Sequence, residues 1–152
     1  PGCADCPLAS RCLALAAGTV AERPVKQTKT KVRDRWFNYL HVTCGDRTLL
    51  RRRGEGDIWQ GLYEFPMIET DRAADFSELT DSEEFRTLLD GVEWRLLRSV
   101  AMPKHQLSHQ TLHAVFHRIE ISFPVDFPSV PTATLGDYAV PRLIDRYLDR
   151  QP

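Results

Sequence analysis

No apolar run in this 152-residue chain approaches the roughly 18 residues that a membrane-spanning helix needs. The opening Pro1-Gly2-Cys3 has neither the basic nor the apolar region of a secretory leader. It also lacks an initiator Met, and the chain is expected to be an internal piece of a longer protein. Cysteine is scarce: four residues, at 3, 6, 12 and 44, three of them close together. That is no evenly spaced disulfide framework, and without a leader a reducing cytosol is the expected compartment. There is no internal repeat and no low-complexity segment. Net charge is nearly absent as well, at −1. Its distribution is uneven: residues 1–60 carry 11 Lys/Arg against 6 Asp/Glu, and residues 61–100 carry 4 against 10. A basic end and an acidic segment fit a domain that meets a polyanion with one side, and equally fit ordinary variation of surface charge.

What is present is enough apolar residue, 42%, for one compact domain with short appendages. Residues 1–17 read as a Cys-containing turn running into a short helix from Arg11, with Gly18 as a natural stop. Residues 18–35 are polar and basic, with Pro24 and few core candidates, and read as an interdomain linker. Its cations Lys26, Lys29, Lys31, Arg33 and Arg35 suit phosphate contacts, or simply a solvated tether. The compact domain is expected over 36–152. Trp36–Cys44 is rich in aromatic and β-branched residues, Gly45-Asp46 makes a turn, and Thr48–Arg52 returns as a second strand. Residues 59–68 combine a loop with a short strand. Thr80-Asp81-Ser82-Glu83 matches a capping box, followed by Phe85, Leu88 and Leu89 at helical spacing and a closing Gly91. Trp94–Met102 and Thr111–Phe123 read as strands, and Pro128 and Pro131 predict an irregular stretch. The last helix carries Val140, Leu143, Ile144, Tyr147 and Leu148 on one face, with Asp137 as N-cap and Pro141 in its first turn. The order β-β-β-α-β-β-α predicts an α+β sheet flanked by two helices.

Cys3-x2-Cys6-x5-Cys12 is a compact set of soft sulfur ligands, suited to zinc or an iron–sulfur cluster but one ligand short. The alternative is three incidental thiols. The spacing, with Pro7 after the second Cys, resembles the last three ligands of the 4Fe–4S loop of helix-hairpin-helix DNA glycosylases. On that resemblance the first ligand lies upstream of Pro1, the longer protein holds a 4Fe–4S cluster, and this chain alone holds none.

Leu49-Leu50-Arg51-Arg52-Arg53, then Ile58-Trp59-Gln60-Gly61-Leu62-Tyr63-Glu64-Phe65-Pro66, resembles the Nudix-like domain that ends MutY-type adenine glycosylases. The resemblance implies a Nudix-like (MutT-like) mixed sheet. A Nudix hydrolase needs an Arg-Glu-x-x-Glu-Glu helix, because neighbouring carboxylates hold the Mg²⁺ that activates water. Here only Glu83 and Glu84 are on offer, and both also suit the first turn of a helix for its dipole.

Lys104-His105-Gln106-Leu107-Ser108-His109-Gln110 lies between two long strands. Leu107-Ser108-His109 is similar to the Phe-Ser-His motif of MutY-type proteins, with Leu for Phe. The chemistry stands on its own. Guanine offers N7 as an acceptor; oxidation at C8 turns N7 into an N–H donor beside a new carbonyl. A Ser hydroxyl and its own backbone N–H supply an acceptor and a donor together. His109 adds a polar contact, and Leu107 suits an apolar wedge between bases. Without the resemblance the triplet is a polar hairpin tip with a half-buried Leu. His105, His109, His113 and His117 recur every four residues, which on a strand is a step of roughly 13 Å, too wide to share one ion. His113 and His117 are therefore expected on an exposed or partly packed face.

The resemblance covers nearly the whole chain. It implies a base-excision-repair module that recognises 8-oxoguanine opposite adenine in duplex DNA. Its partner would be its own N-terminal catalytic domain, which flips the adenine. No catalytic residue of that step is expected here. The alternatives are a stand-alone Nudix hydrolase of nucleoside diphosphate derivatives and a protein-interaction module working through the linker.

Overall fold

The computed structural model describes residues 1–25 and 32–150. The chain divides into two compact units, residues 1–31 and 32–152.

In the first unit, a turn returns the Cys6 N–H to the Cys3 carbonyl, and the Ala9 N–H to that of Cys6. A 3₁₀ turn at Ala9–Arg11 leads into α1 (Leu13–Ala16), which buries no residue. Gly18, at φ +67°, takes the left-handed turn that ends it, and the Thr19 N–H closes on the Ala14 carbonyl.

The second unit is built on two long strands, β1 (Arg33–Cys44) and, later in the chain, a partner at Gln110–Ile121. Between them come β2 (Arg47–Leu49), β3 (Arg51–Arg52), β4 (Tyr63–Glu64), β5 (Met67–Thr70), α2 (Phe76–Thr80), α3 (Glu83–Leu89), β6 (Trp94–Ala101) and β7 (His105–Gln106). The long partner is β8; β9 (Ser129–Pro131) and α4 (Arg142–Leu148) follow. β1 and β8 run parallel from Arg33 opposite Gln110 to Thr43 opposite Glu120. Around them the sheet order is β6-β8-β1-β2-β9, with β5 also antiparallel to β1 and β7 antiparallel to β8. The result is a mixed sheet with helices on both faces, as the sequence predicts.

Strand periodicity sorts the core into two layers. Phe37 and Tyr39 of β1 and Leu112, Ala114 and Phe116 of β8 face α4, which contributes Leu143, Ile144 and Tyr147. Leu40, Val42, Ile119 and Ile121 point the other way, against Leu79, Phe85 and Leu89 of the paired helices. In the first layer Tyr39 stacks on Phe116 at 4.8 Å and Phe116 on Tyr147 at 3.9 Å. The Tyr147 hydroxyl lies 2.9 Å from Nδ1 of His41, so α4 is held by a polar anchor as well as by area.

Several local expectations need correction. β1 starts at Arg33, because pairing with β8 orders the end of the basic stretch. Ser82, not Thr80, caps α3, accepting from the Phe85 N–H at 3.2 Å. The capping box falls earlier, on Asp75 and Glu78, at the start of α2, a helix the sequence pattern did not predict. The stretch between Pro128 and Pro131 forms β9, an edge strand on β2 whose prolines need no inner partner. Asp137 ends a 3₁₀ turn, and α4 begins after Pro141, whose carbonyl accepts from the Ile144 and Asp145 N–H groups. His117 is buried, at 2% exposure, rather than on a partly packed face.

Candidate functional site

The Leu107-Ser108-His109 segment is the tip of the β7–β8 hairpin, and its backbone is held from several sides. The Leu107 N–H donates to the Gln110 carbonyl at 2.8 Å, and the Arg33 N–H donates to that of His109 at 3.0 Å. The Gln106 amide donates to the Leu107 and Gln110 carbonyls, and Thr111 donates to Gln106 Oε1 at 2.9 Å. Leu107 is half-buried against the α4-side core, whereas Ser108 and His109 are exposed. The tip thus presents one hydroxyl, one imidazole and peptide groups on a fixed turn.

The four evenly spaced histidines do not converge. His113 stacks on Trp36 at 4.8 Å, its Nε2 lying 2.7 Å from Asp34. His117 lies on the same face of β8, its Nδ1 2.8 Å from the Ser99 hydroxyl and its ring against Phe76. His105 meets the edge of Trp59 at 6.0 Å on the other side.

Behind the hairpin lies a charge network. Arg35 is buried, at 6% exposure, and its guanidinium donates to both oxygens of Asp57 (2.7 and 2.8 Å), to Glu69 and to Gln110 Oε1 (3.1 Å). Arg53 donates to Asp57 at 2.7 Å, to the Ile58 carbonyl at 3.0 Å and to the buried Glu64. The hydrogen bonds from Arg35 hold the Asp57 carboxyl down at about 2. These pairs pin the loop from Gly54 to Gly61, where Trp59 sits at φ +62°, a left-handed conformation costly for a bulky side chain. Arg35 therefore joins that loop to the base of the hairpin through Asp57 and Gln110.

On the opposite face of the sheet, a cleft of about 410 Å³ opens between α3 and β5. Leu40, Met67, Ile68, Leu88 and Phe127 line it, with Glu83, Glu84 and Asp126 around them. Arg51 is its one cation, 5.9 Å over the Phe127 ring and bonded to Glu64 at 3.3 Å. Among the described residues, no three His, Cys, Asp or Glu side chains are grouped so as to hold a metal ion. That includes Cys3, Cys6 and Cys12, whose thiols are free. Lys26, Lys29 and Lys31 lie outside the described residues.

A family model described as the NUDIX domain matches residues 38–150, from the middle of β1 to the end of α4. The chain belongs to the Nudix domain family. Solved Nudix-type structures agree in fold. The ORF135 protein of E. coli is 15% identical, over 78% of this chain and 91% of that one, with a TM-score of 0.55. The MutT protein of Methanosarcina mazei is 13% identical, over 82% and 95%, with a TM-score of 0.56. The C-terminal domain of mouse MUTYH, solved in complex with human PCNA, superposes more loosely, at 16% identity over 77% and 89% and a TM-score of 0.47. Identities this low speak for the fold alone.

In this Nudix domain the sequence pattern located the hairpin and both carboxylates of α3, but not the Arg35–Asp57–Glu69 network. One signal for it was available. In β1 the alternation that turns Phe37 and Tyr39 inward puts Arg35 on the same side, and an inward Arg needs carboxylates. No helix among the described residues is long and apolar enough to cross a membrane.

Proposed function

We propose that this Nudix domain serves DNA base-excision repair as a lesion reader. It recognises 8-oxoguanine opposite adenine for an adenine glycosylase whose catalytic domain lies outside this chain. The observation that carries the proposal is the hairpin tip: Ser108 and His109 stand exposed on a turn fixed by Gln106, Gln110, Thr111 and Arg33. A reader of oxidised guanine needs an acceptor for the new N7–H and a donor for the new carbonyl, and the Ser108 hydroxyl and peptide N–H offer both. Preorganisation of the turn keeps the entropic cost of that contact low. The grouping of Leu107-Ser108-His109 with Trp59-x-Gly61-Leu62-Tyr63-x-Phe65-Pro66 in one chain supports the MutY-type reading. Cys3, Cys6 and Cys12 would then be three of four thiolate ligands of a 4Fe–4S cluster completed outside this chain. Lys26, Lys29 and Lys31 would contact DNA phosphates.

The test is the ratio of affinities for 8-oxoguanine·A and G·A duplexes, measured with this chain and with the longer protein. Ser108→Ala removes one neutral hydrogen bond, about 0.5–1.5 kcal/mol, and is expected to lower the ratio by a factor of about 2–10. The triple change Leu107→Ala, Ser108→Ala, His109→Ala is expected to lower it further, while binding to undamaged duplex changes less. A triple variant that keeps the wild-type ratio would show that this hairpin is not the reader.

A further inference from the structure

The exposed arginines of the second unit are mostly neutralised. Arg72 pairs with Glu78, Arg86 with Asp81, Arg95 with Glu120 and Arg142 with Asp145. In this unit five exposed cations make no ion pair among the described residues: Arg47 and Arg52, which donate to the Ser129 hydroxyl and the Gly61 carbonyl, and Lys104, Arg146 and Arg150. Arg146 and Arg150 lie on or just past α4, whose Asp145 is taken up by Arg142. Arg146, Asp149 and Arg150 line one concavity of about 270 Å³ with Leu143, Met102, Pro103 and His105. Lys104 stands between two of these lining residues. An Nη1 of Arg150 lies 4.0 Å from the Met102 sulfur, and the Arg146 charge reinforces the burial that lowers the His105 pKa. The concavity therefore carries a net positive charge at the stem of the hairpin. His105 and Ser108 are three residues apart, at most about 10 Å along an extended chain. Successive phosphates of one DNA strand rise by about 3.4 Å along the axis, so a base at the tip has phosphates of its own strand within reach of the stem.

We infer that Arg146 and Arg150, with Lys104, form a phosphate-contacting surface for the duplex, docking the backbone beside the base that the hairpin tip meets. The inference rests on the proposed lesion reading for the position of the duplex, but it assigns a separate job: these cations hold the backbone without reading sequence or damage. Charge complementarity favours a polyanionic strand, and the shallow, partly apolar lining offers no donor fork dedicated to one small anion.

The experiment is a salt titration of duplex binding by the full chain, using labelled 8-oxoguanine·A and G·A duplexes and fluorescence anisotropy. Each lost phosphate contact removes about 0.9 from the slope of log K against log salt. Arg146→Gln, Arg150→Gln together are expected to reduce the slope by about 2, to weaken both duplexes by the same factor, and to leave their ratio unchanged. Arg146→Lys, Arg150→Lys is expected to keep most of the slope, which separates charge from any loss of packing. Arg142→Gln, on the same helix but paired with Asp145, is expected to change nothing. An unchanged slope in the Gln variant would overturn the inference. So would displacement of duplex by inorganic phosphate beyond that by chloride at equal ionic strength, which would mark a discrete small-anion site. A wild-type chain with no lesion preference but a slope that falls in the Gln variant would sink the lesion reading and leave this surface standing.

Discussion

His41 and His117 are imidazoles taken out of water, each with an Nε2 that has no hydrogen-bond partner among the described residues. Burial pushes both down to about 4, helped at His41 by the charges of Arg118 and Arg98. The sign follows from proton counting. Between pH about 6.5 and about 4 the unfolded chain takes up protons that the folded chain refuses, so stability falls as pH drops through that window. The loss is on the order of 3 kcal/mol for each histidine. Asp57 acts lower on the scale. Its carboxyl, held down at about 2 by Arg35, contributes stability above pH about 4 that disappears as pH falls towards about 2. Urea titrations from pH 7 to pH 4 are expected to show the first decline, and His41→Gln, His117→Gln is expected to flatten it. An equally steep decline in that double variant would place the acid sensitivity elsewhere.

At the scale of elements, β1 organises the second unit, and its first residues matter more than their composition suggests. Arg33–Arg35 look like the end of a tether, yet Arg33 opens the parallel ladder and Arg35 is the hub for Asp57, Glu69 and Gln110. Removing one member of a buried pair costs about 3–5 kcal/mol, less here because Asp57 and Glu69 keep about a third of their surface in water. A chain starting at Val32 is therefore expected to melt like the whole, and one starting at Trp36 to lose several degrees and the fixed hairpin. Arg35→Lys is expected to rescue little, since an ammonium cannot span two carboxylates as a guanidinium fork does. Thermal melts of the two truncations decide this; equal melting temperatures would make Arg35 an incidental ion pair.

At the scale of the molecule, the two faces of the sheet have different chemistry. The α4 face carries the aromatic stack, the hairpin, Arg146 and Arg150; the α3 face carries the cleft with Glu83, Glu84 and Asp126. α3 carries two carboxylates, one fewer than the Arg-Glu-x-x-Glu-Glu pattern. The chain with Mg²⁺ or Mn²⁺ is accordingly expected to release no phosphate from oxidised dGTP or other nucleoside diphosphate derivatives. Release that vanished in Glu83→Gln, Glu84→Gln would make the cleft a hydrolase site.

Much of this was legible along the chain because it is local. The β-branched and aromatic run before Gly45, the turn itself, the apolar stripe of α4 and the Leu107-Ser108-His109 tip each depend on residues within a turn or a strand of one another. What stayed hidden depends on residues distant in sequence. The parallel pairing of β1 with β8 joins positions 77 residues apart, such as Arg33 and Gln110. Together with the β1–β5 and β2–β9 pairings it sets Arg35 among Asp57, Glu69 and Gln110 and puts the prolines near Ser129 beside an edge strand. The meeting of Arg146 and Arg150 with Pro103 and His105 around one concavity has the same origin: α4 lies over Phe116, and that packing carries its outer cations to the stem of the hairpin. Local sequence set which segments form strands and helices. Burial of shared apolar area, which acts without regard to separation along the chain, set which charges end up paired and which are left facing solvent.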